Sequence, residues 1–131
     1  ELQESSSPLR VRIDPEKLRS AVENLVVNAR EASRESNDES PLLLRVSREG
    51  SRAAIHVCDR GPGISDEVAA RMFDPFFTTK SQGSGVGLAV TRRFVEAAGG
   101  ILRFAPRVGG GVCFSIVLPL QKEEGSESTT S

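Results

Sequence analysis

The sequence predicts a two-layer α/β sandwich: a mixed, mainly antiparallel sheet of about five strands with three helices on one face. Three observations lead there. An alternating apolar and charged stretch, Pro8–Ile13, runs straight into an amphipathic helix whose start signal is Asp14-Pro15. Two pairs of strand-like runs, 42–59 and 101–120, each fold back at glycine. Between those pairs a glycine-rich loop, GSGVGL at 83–88, turns at once into a second long amphipathic helix.

The elements follow in order. In Pro8–Ile13, Leu9, Val11 and Ile13 alternate with Arg10 and Arg12, the period of a strand with one wet face. Asp14 as N-cap, Pro15 at the first helical position and Glu16 in the first turn then open a helix to about Ser33. Its apolar stripe is Leu18, Ala21, Val22, Leu25, Ala29 and Ala32. Asn24 and Asn28, four residues apart, share one face beside that stripe. Asn is a poor helix former and gains nothing from partial burial without partners. One such Asn reads as a solvated amide; two at this spacing point to ligands.

Residues 34–41 are a polar linker. Leu42–Glu49 and Ser51–Asp59 read as strands joined in a hairpin at Gly50. His56 lies within the second and reads as a packed or surface imidazole. With no second His and no clustered Cys pair, the pattern of a zinc site is missing. Asp59-Arg60-Gly61-Pro62-Gly63-Ile64 sets a carboxylate at a strand end and lets backbone come close behind it; an ordinary Asp-led turn is the plainer alternative. Ser65 caps a short helix, with Asp66 and Glu67 in its first turn, running through Met72.

Phe73–Lys80, FDPFFTTK, holds three of the chain's six phenylalanines. Such a cluster is expected to plug a core edge and anchor the polar, glycine-flanked segment Thr78–Ser84, which reads as a lid. Gly83, Gly85 and Gly87 feed the helix Leu88–Ala98, with Leu88, Val90, Thr91, Phe94, Val95 and Ala98 at helical spacing and Gly99-Gly100 as its stop. Unpaired N–H groups and the positive dipole end make such a helix start an anion site. Ile101–Val108 and Gly111–Leu120 read as two strands joined at Gly109-Gly110-Gly111, with Pro119 closing the last.

Composition bounds the function. The chain's 131 residues suffice for one domain with a core and not for two. That domain is expected over 8–120, between a loose polar segment, 1–7, and a tail, 121–131, too polar to stay ordered. A formal charge of −1 argues against a nucleic-acid partner. No apolar run reaches the roughly 20 residues that span a bilayer, so no membrane contact is expected from this chain. Cys58 and Cys113, each in an apolar run, read as buried free thiols of a reducing compartment, and hence as cytoplasmic. A first residue of Glu1 rather than Met implies a piece of a longer protein, whose own membrane anchoring this stretch does not address.

Four motifs stand in order: ENLVVNAREA at Glu23–Ala32, DRGPGI at Asp59–Ile64, FDPFFTTK at Phe73–Lys80 and GSGVGLAV at Gly83–Val90. Together they resemble the Asn box, glycine boxes and phenylalanine box of the ATP-binding catalytic domain of sensor histidine kinases. That domain belongs to the superfamily that also holds gyrase, the Hsp90 chaperones and the MutL repair proteins. The last two motifs are most similar to kinases of the nitrogen-regulator type. The resemblance covers about Leu9 to Leu120 and implies ATP and Mg²⁺ as cofactors. Asp59 would accept from the adenine amino group, and Gly61 and Gly63 would let backbone approach the base. Ile64 and Phe73 would belong to the nucleotide site. Asn28 would hold Mg²⁺ through its amide oxygen, a hard donor for a hard cation. Asn24 would sit beside the phosphates with a catalytic role. Gly83, Gly85, Val86, Gly87 and Leu88 would cradle them, with Thr79 and the catalytic Lys80 supplied by the lid.

Departures from the family pattern are Glu31 and Ala32, where a lysine and a tyrosine are common; Thr78, where an arginine is common; and Val112, where a threonine is common. Lys80 is then the candidate cation of the lid. The implied partners are a dimerisation domain carrying the phosphoacceptor histidine, not contained in this chain, and a downstream response regulator. Three alternatives remain: an ATP hydrolase of the same superfamily, an anti-sigma-type serine kinase, and a nucleotide-binding scaffold without chemistry. The hydrolases carry a glutamate where this chain has Asn24, and an amide cannot serve as that base.

Overall fold

The computed structural model describes the backbone of Leu2–Gln3 and residues 8–74 and 87–121. The elements are β1 (Leu2–Gln3), α1 (Pro15–Glu35), β2 (Leu43–Glu49), β3 (Arg52–Cys58), α2 (Asp66–Arg71), α3 (Gly87–Ala97), β4 (Ile101–Pro106) and β5 (Val112–Pro119). They make one sheet in the order β1-β2-β3-β5-β4. Four strands pair antiparallel, and β1 adds a short parallel edge through Leu2 opposite Leu44. The expected α/β sandwich is therefore present. One strand is relocated: Pro8–Ile13 forms no ladder, only a single bridge from Val11 to Leu120. The alternation there has another cause. Val11 and Ile13 pack against the core while the backbone passes the end of β5, so burial on one side writes a period of two without strand pairing.

The helix starts follow their capping residues. An Asp14 Oδ1 accepts from the Glu16 N–H at 2.9 Å, and Ser65 Oγ accepts from the Val68 N–H at 3.2 Å. The stop of α3 is a Schellman closure: Gly100 N–H donates to Val95 O at 2.9 Å and Gly99 N–H to Glu96 O at 3.0 Å. Helix α1 turns Ala21, Leu25, Ala29 and Ser33 inward, and α3 turns Thr91 and Val95 inward. Along the strands, Val57, Phe114, Ile116 and Leu118 meet them. Each fully buried aliphatic chain of this kind, such as Leu25 or Ile116, adds roughly 1.5–3 kcal/mol of transfer free energy. Phe73 plugs one edge of this core, its ring 6.4 Å from that of Phe104 and 5.3 Å from the Arg92 guanidinium carbon.

The alternate residues of the same strands make a second, polar layer on the opposite sheet face. His56 is enclosed there, with Nε2 2.9 Å from Ser47 Oγ and Nδ1 2.7 Å from Ser115 Oγ. Burial, reinforced by the Arg45 charge, holds its pKa below the usual histidine value, against the pull of Glu49. Glu49 itself forks onto Arg103 at 2.9 and 3.1 Å, which lowers its pKa.

Cys58 and Cys113 are not free thiols. They form a disulfide, so the reading of two reduced cysteines fails. Within its own strand each cysteine is only a small apolar residue; pairing depends on the neighbouring strand. The antiparallel register of β3 on β5 sets them directly opposite each other, with Cα atoms 4.0 Å apart.

Candidate functional site

The site is built where β3 ends and β5 begins. Asp59 follows the last residue of β3 and is 4% exposed. Its N–H donates to Val112 O at 2.9 Å, continuing the ladder by one residue. Its Oδ1 accepts from Gly61 N–H at 2.8 Å and from Val112 N–H at 3.1 Å. Its carbonyl accepts from Arg107 Nη1 at 3.1 Å. Oδ2 has no partner among the described residues, and no fully buried side-chain oxygen among them lacks one. Oδ2 is therefore the acceptor of this carboxylate left for a ligand.

Two glycines make that placement sterically possible. Gly111 has φ +104°, and a Cβ there would overlap the Asp59 carbonyl oxygen. At Gly61 an added Cβ would lie 2.6 Å from the Ala32 Cβ and 2.8 Å from the Ala32 carbonyl oxygen. The close approach at Gly61 is thus to α1, and Ala32 is the residue that fills the space. Gly63, with φ +89°, faces open space.

Several residues that hold this corner were not singled out by sequence. Arg60 Nη1 donates to Val108 O at 2.8 Å and Gly110 O at 3.0 Å, pinning the turn between β4 and β5 to the loop after Asp59. The Arg60 N–H reaches Ser33 Oγ at 3.2 Å. These contacts join residues 27 to 50 positions apart, and nothing local in an Arg or a Ser marks such a role.

A second group lies between α1 and α3. Asn24 is half-buried, and its Nδ2 donates to Thr91 Oγ1 at 3.1 Å and to Gly87 O at 3.5 Å. Thr91 is fully buried; it is a polar partner in what reads by period as an apolar stripe. The Asn24 amide thereby ties α1 to the first turn of α3. Asn28 follows one turn later on the same side of α1, also half-buried. Ile64, Phe73 and Leu88 pack against the hydrophobic core. Thr79, Lys80, Gly83, Gly85 and Val86 lie outside the described residues, as does the proposed lid. His56 lies on the far face of the sheet, on the strand that leads into Asp59.

Residues 13–122 match the model of the family described as histidine kinase-, DNA gyrase B- and HSP90-like ATPases. The chain belongs to this family. It is 48% identical over 101 residues to the C4-dicarboxylate transport sensor protein DctS of Rhodobacter capsulatus, covering 76% of this chain and 15% of DctS. It is 34% identical over 110 residues to the sensor histidine kinase ZraS of Escherichia coli, covering 84% of this chain and 23% of ZraS. Among solved structures, the catalytic domain of histidine kinase ThkA superposes with a TM-score of 0.78 at 32% identity, covering 90% of this chain and 76% of that one. The chain thus has the fold of a histidine kinase catalytic domain and spans less than a quarter of the two curated relatives. The family implies ATP binding. No described helix is long and apolar enough to cross a membrane.

Proposed function

We propose that this chain binds Mg-ATP and presents its γ-phosphate to a histidine on a separate dimerisation domain, the first step of a relay to a response regulator. The observation that carries the reading is Asp59: a carboxylate held by two backbone N–H groups on one oxygen, with the other open. Such an acceptor suits the amino group of adenine and repels the carbonyl oxygen that guanine carries in its place. Gly61, Gly63, Ile64 and Phe73 would contribute to the adenine end, and Gly83, Gly85, Val86, Gly87 and Leu88 would offer backbone N–H groups to the phosphates.

The donor chemistry of α1 fits a hard cation. Asn28 would hold Mg²⁺ through its amide oxygen, and the bound ion supplies positive charge to the phosphate oxygens. Asn24 would keep the start of α3 in place beside those phosphates. Thr79 and Lys80 would close over them, Lys80 as the cation of that segment. Phosphoryl transfer asks mainly for position and charge stabilisation, and these residues offer both.

Asn24 also weighs against the hydrolase. Its nitrogen donates to Thr91 and Gly87, so this position supplies a donor and not a water-activating base. The test is radiolabelled ATP with the chain alone, with a purified cognate helical domain, and with that domain's histidine changed to glutamine. Label is expected only on the intact helical domain. Steady phosphate release by the chain alone would overturn the reading in favour of hydrolysis.

A further inference from the structure

We infer that the Cys58–Cys113 disulfide is a redox modification site that sets how firmly Asp59 is held, and through it the affinity for adenine nucleotide; the second half rests on the nucleotide reading above. The register carries it. Asp59 N–H bonds to Val112 O, so the preceding pair, Cys58 and Cys113, occupies a position between hydrogen-bonded pairs, where antiparallel backbones approach most closely. The disulfide is the last covalent tie before the two strands part. Immediately beyond it, Val112 supplies one of the two N–H groups on Asp59 Oδ1 and the carbonyl that receives the Asp59 N–H. The cross-link and the carboxylate clamp are adjacent in both strands.

The sulfurs are reached from the other side. Cys58 and Cys113 line a groove of about 480 Å³ on the polar face of the sheet, together with Arg45, His56, Arg107 and Ser115. That face lies opposite the core and the helices, so a reductant could enter without displacing nucleotide. Cys58 is 4% exposed and Cys113 is half-buried, so Cys113 is the more open residue of the pair. Arg107, in the same groove, also donates to the Asp59 carbonyl.

The step needs a dithiol reductant. Its thiolate attacks the Cys113 sulfur, the Cys58–Cys113 bond breaks, and Cys58 leaves as a thiolate that takes a proton. The second reductant thiolate then displaces Cys113 and closes the reductant's own disulfide. Two electrons and two protons pass to the protein. With the tie gone, the ends of β3 and β5 can separate, and Asp59 loses part of its fixed orientation.

The experiment titrates ATP calorimetrically into the untreated chain and into chain reduced by dithiothreitol under native conditions, with thiols counted in both and amide exchange followed at Gly61 and Val112. We expect no titratable thiol before reduction and two after, faster exchange at both amides, and about tenfold weaker ATP binding. The Cys58→Ala/Cys113→Ala double variant should match the reduced protein and ignore dithiothreitol. Thiols that appear only in denaturant would overturn the proposal. So would equal ATP affinity with unchanged exchange in the two states. Faster exchange on reduction, with no ATP bound by either form, would uphold the redox clamp and sink the nucleotide reading instead. The comparison of oxidised and reduced chain keeps its force even where the double variant fails to fold.

Discussion

The two ends of the site are held by different kinds of structure. At the sheet end, Asp59 is fixed by backbone N–H groups of Gly61 and Val112 and by ladder pairing. At the helix end, the Asn24 amide ties α1 to the start of α3. The short Asp59 side chain is gripped by two backbone donors that have no rotamers of their own to lose, whereas the Asn24 contact with Thr91 needs a side chain ordered on both helices. The sheet end is therefore a preformed acceptor. The helix end can shift when the Asn24 contact is remade, which would suit the proposed phosphate end of the site.

That contrast predicts the largest damage where backbone alone fills the space. Gly111→Ala places a Cβ against the Asp59 carbonyl at a φ of +104°. Strain in that region costs about 1–3 kcal/mol before any clash, so we expect about 3 kcal/mol or more of lost stability by urea unfolding, with ATP binding abolished. A variant of unchanged stability would mean that the turn at 109–111 can move, and the sheet end is not rigid.

Next comes Asp59→Asn. The new amide oxygen can still accept from Gly61 and Val112, while its NH₂ now faces the ligand. Hydrogen bonds to charged groups contribute about 1.5–3 kcal/mol, so ATP affinity should fall by about one to two decades. The unfolding midpoint should move little. Calorimetric titration that finds wild-type affinity would place adenine recognition elsewhere.

Legibility in the sequence divides along the same line. Asp14 and Ser65 announced their helices because a cap is satisfied within three residues. The core faces of α1 and α3 were legible because burial imposes the helical period. Asp59 stood out as a carboxylate at a strand end beside glycines. What stayed hidden depends on register or distance. The Cys58–Cys113 bond requires knowing which residues β3 and β5 set opposite each other. Arg60 and Arg107 act on carbonyls 48 to 50 positions away. Thr91 fits an apolar stripe by period, and only the Asn24 contact shows what its hydroxyl does. Pro8–Ile13 misled because packing on one side imitates strand alternation.

At the helix end the expected effects are smaller. Asn24→Ala and Thr91→Val each remove one side of the same contact, so their costs should not add. A double-mutant cycle on stability should give a coupling of about 0.5–1.5 kcal/mol. Nucleotide affinity should fall for Asn24→Ala, since the start of α3 loses its tie. Additive costs would mean that the two helices are held by packing alone, and the contrast between the ends would weaken.

The smallest effect should come from the far face of β3, where His56 tests whether the sheet end is insulated from its surroundings. Burial, with Arg45, lowers the folded-state pKa of His56, while Glu49 pulls the other way and limits the shift. The unfolded chain therefore takes up the proton first. The contribution is complete above the unfolded value, near 6.5, and is lost as pH falls from there through the lower folded value. His56→Gln should remove that portion of the pH dependence, leaving the acid losses that come from Glu49 and other carboxylates at lower pH. ATP affinity at neutral pH should be unchanged by the substitution, because Asp59 is held by the ladder and not by the imidazole layer three residues away. A pH profile identical in the two proteins would show that His56 is not depressed. A loss of ATP affinity in the variant at neutral pH would show that the polar layer, and not the backbone alone, positions Asp59.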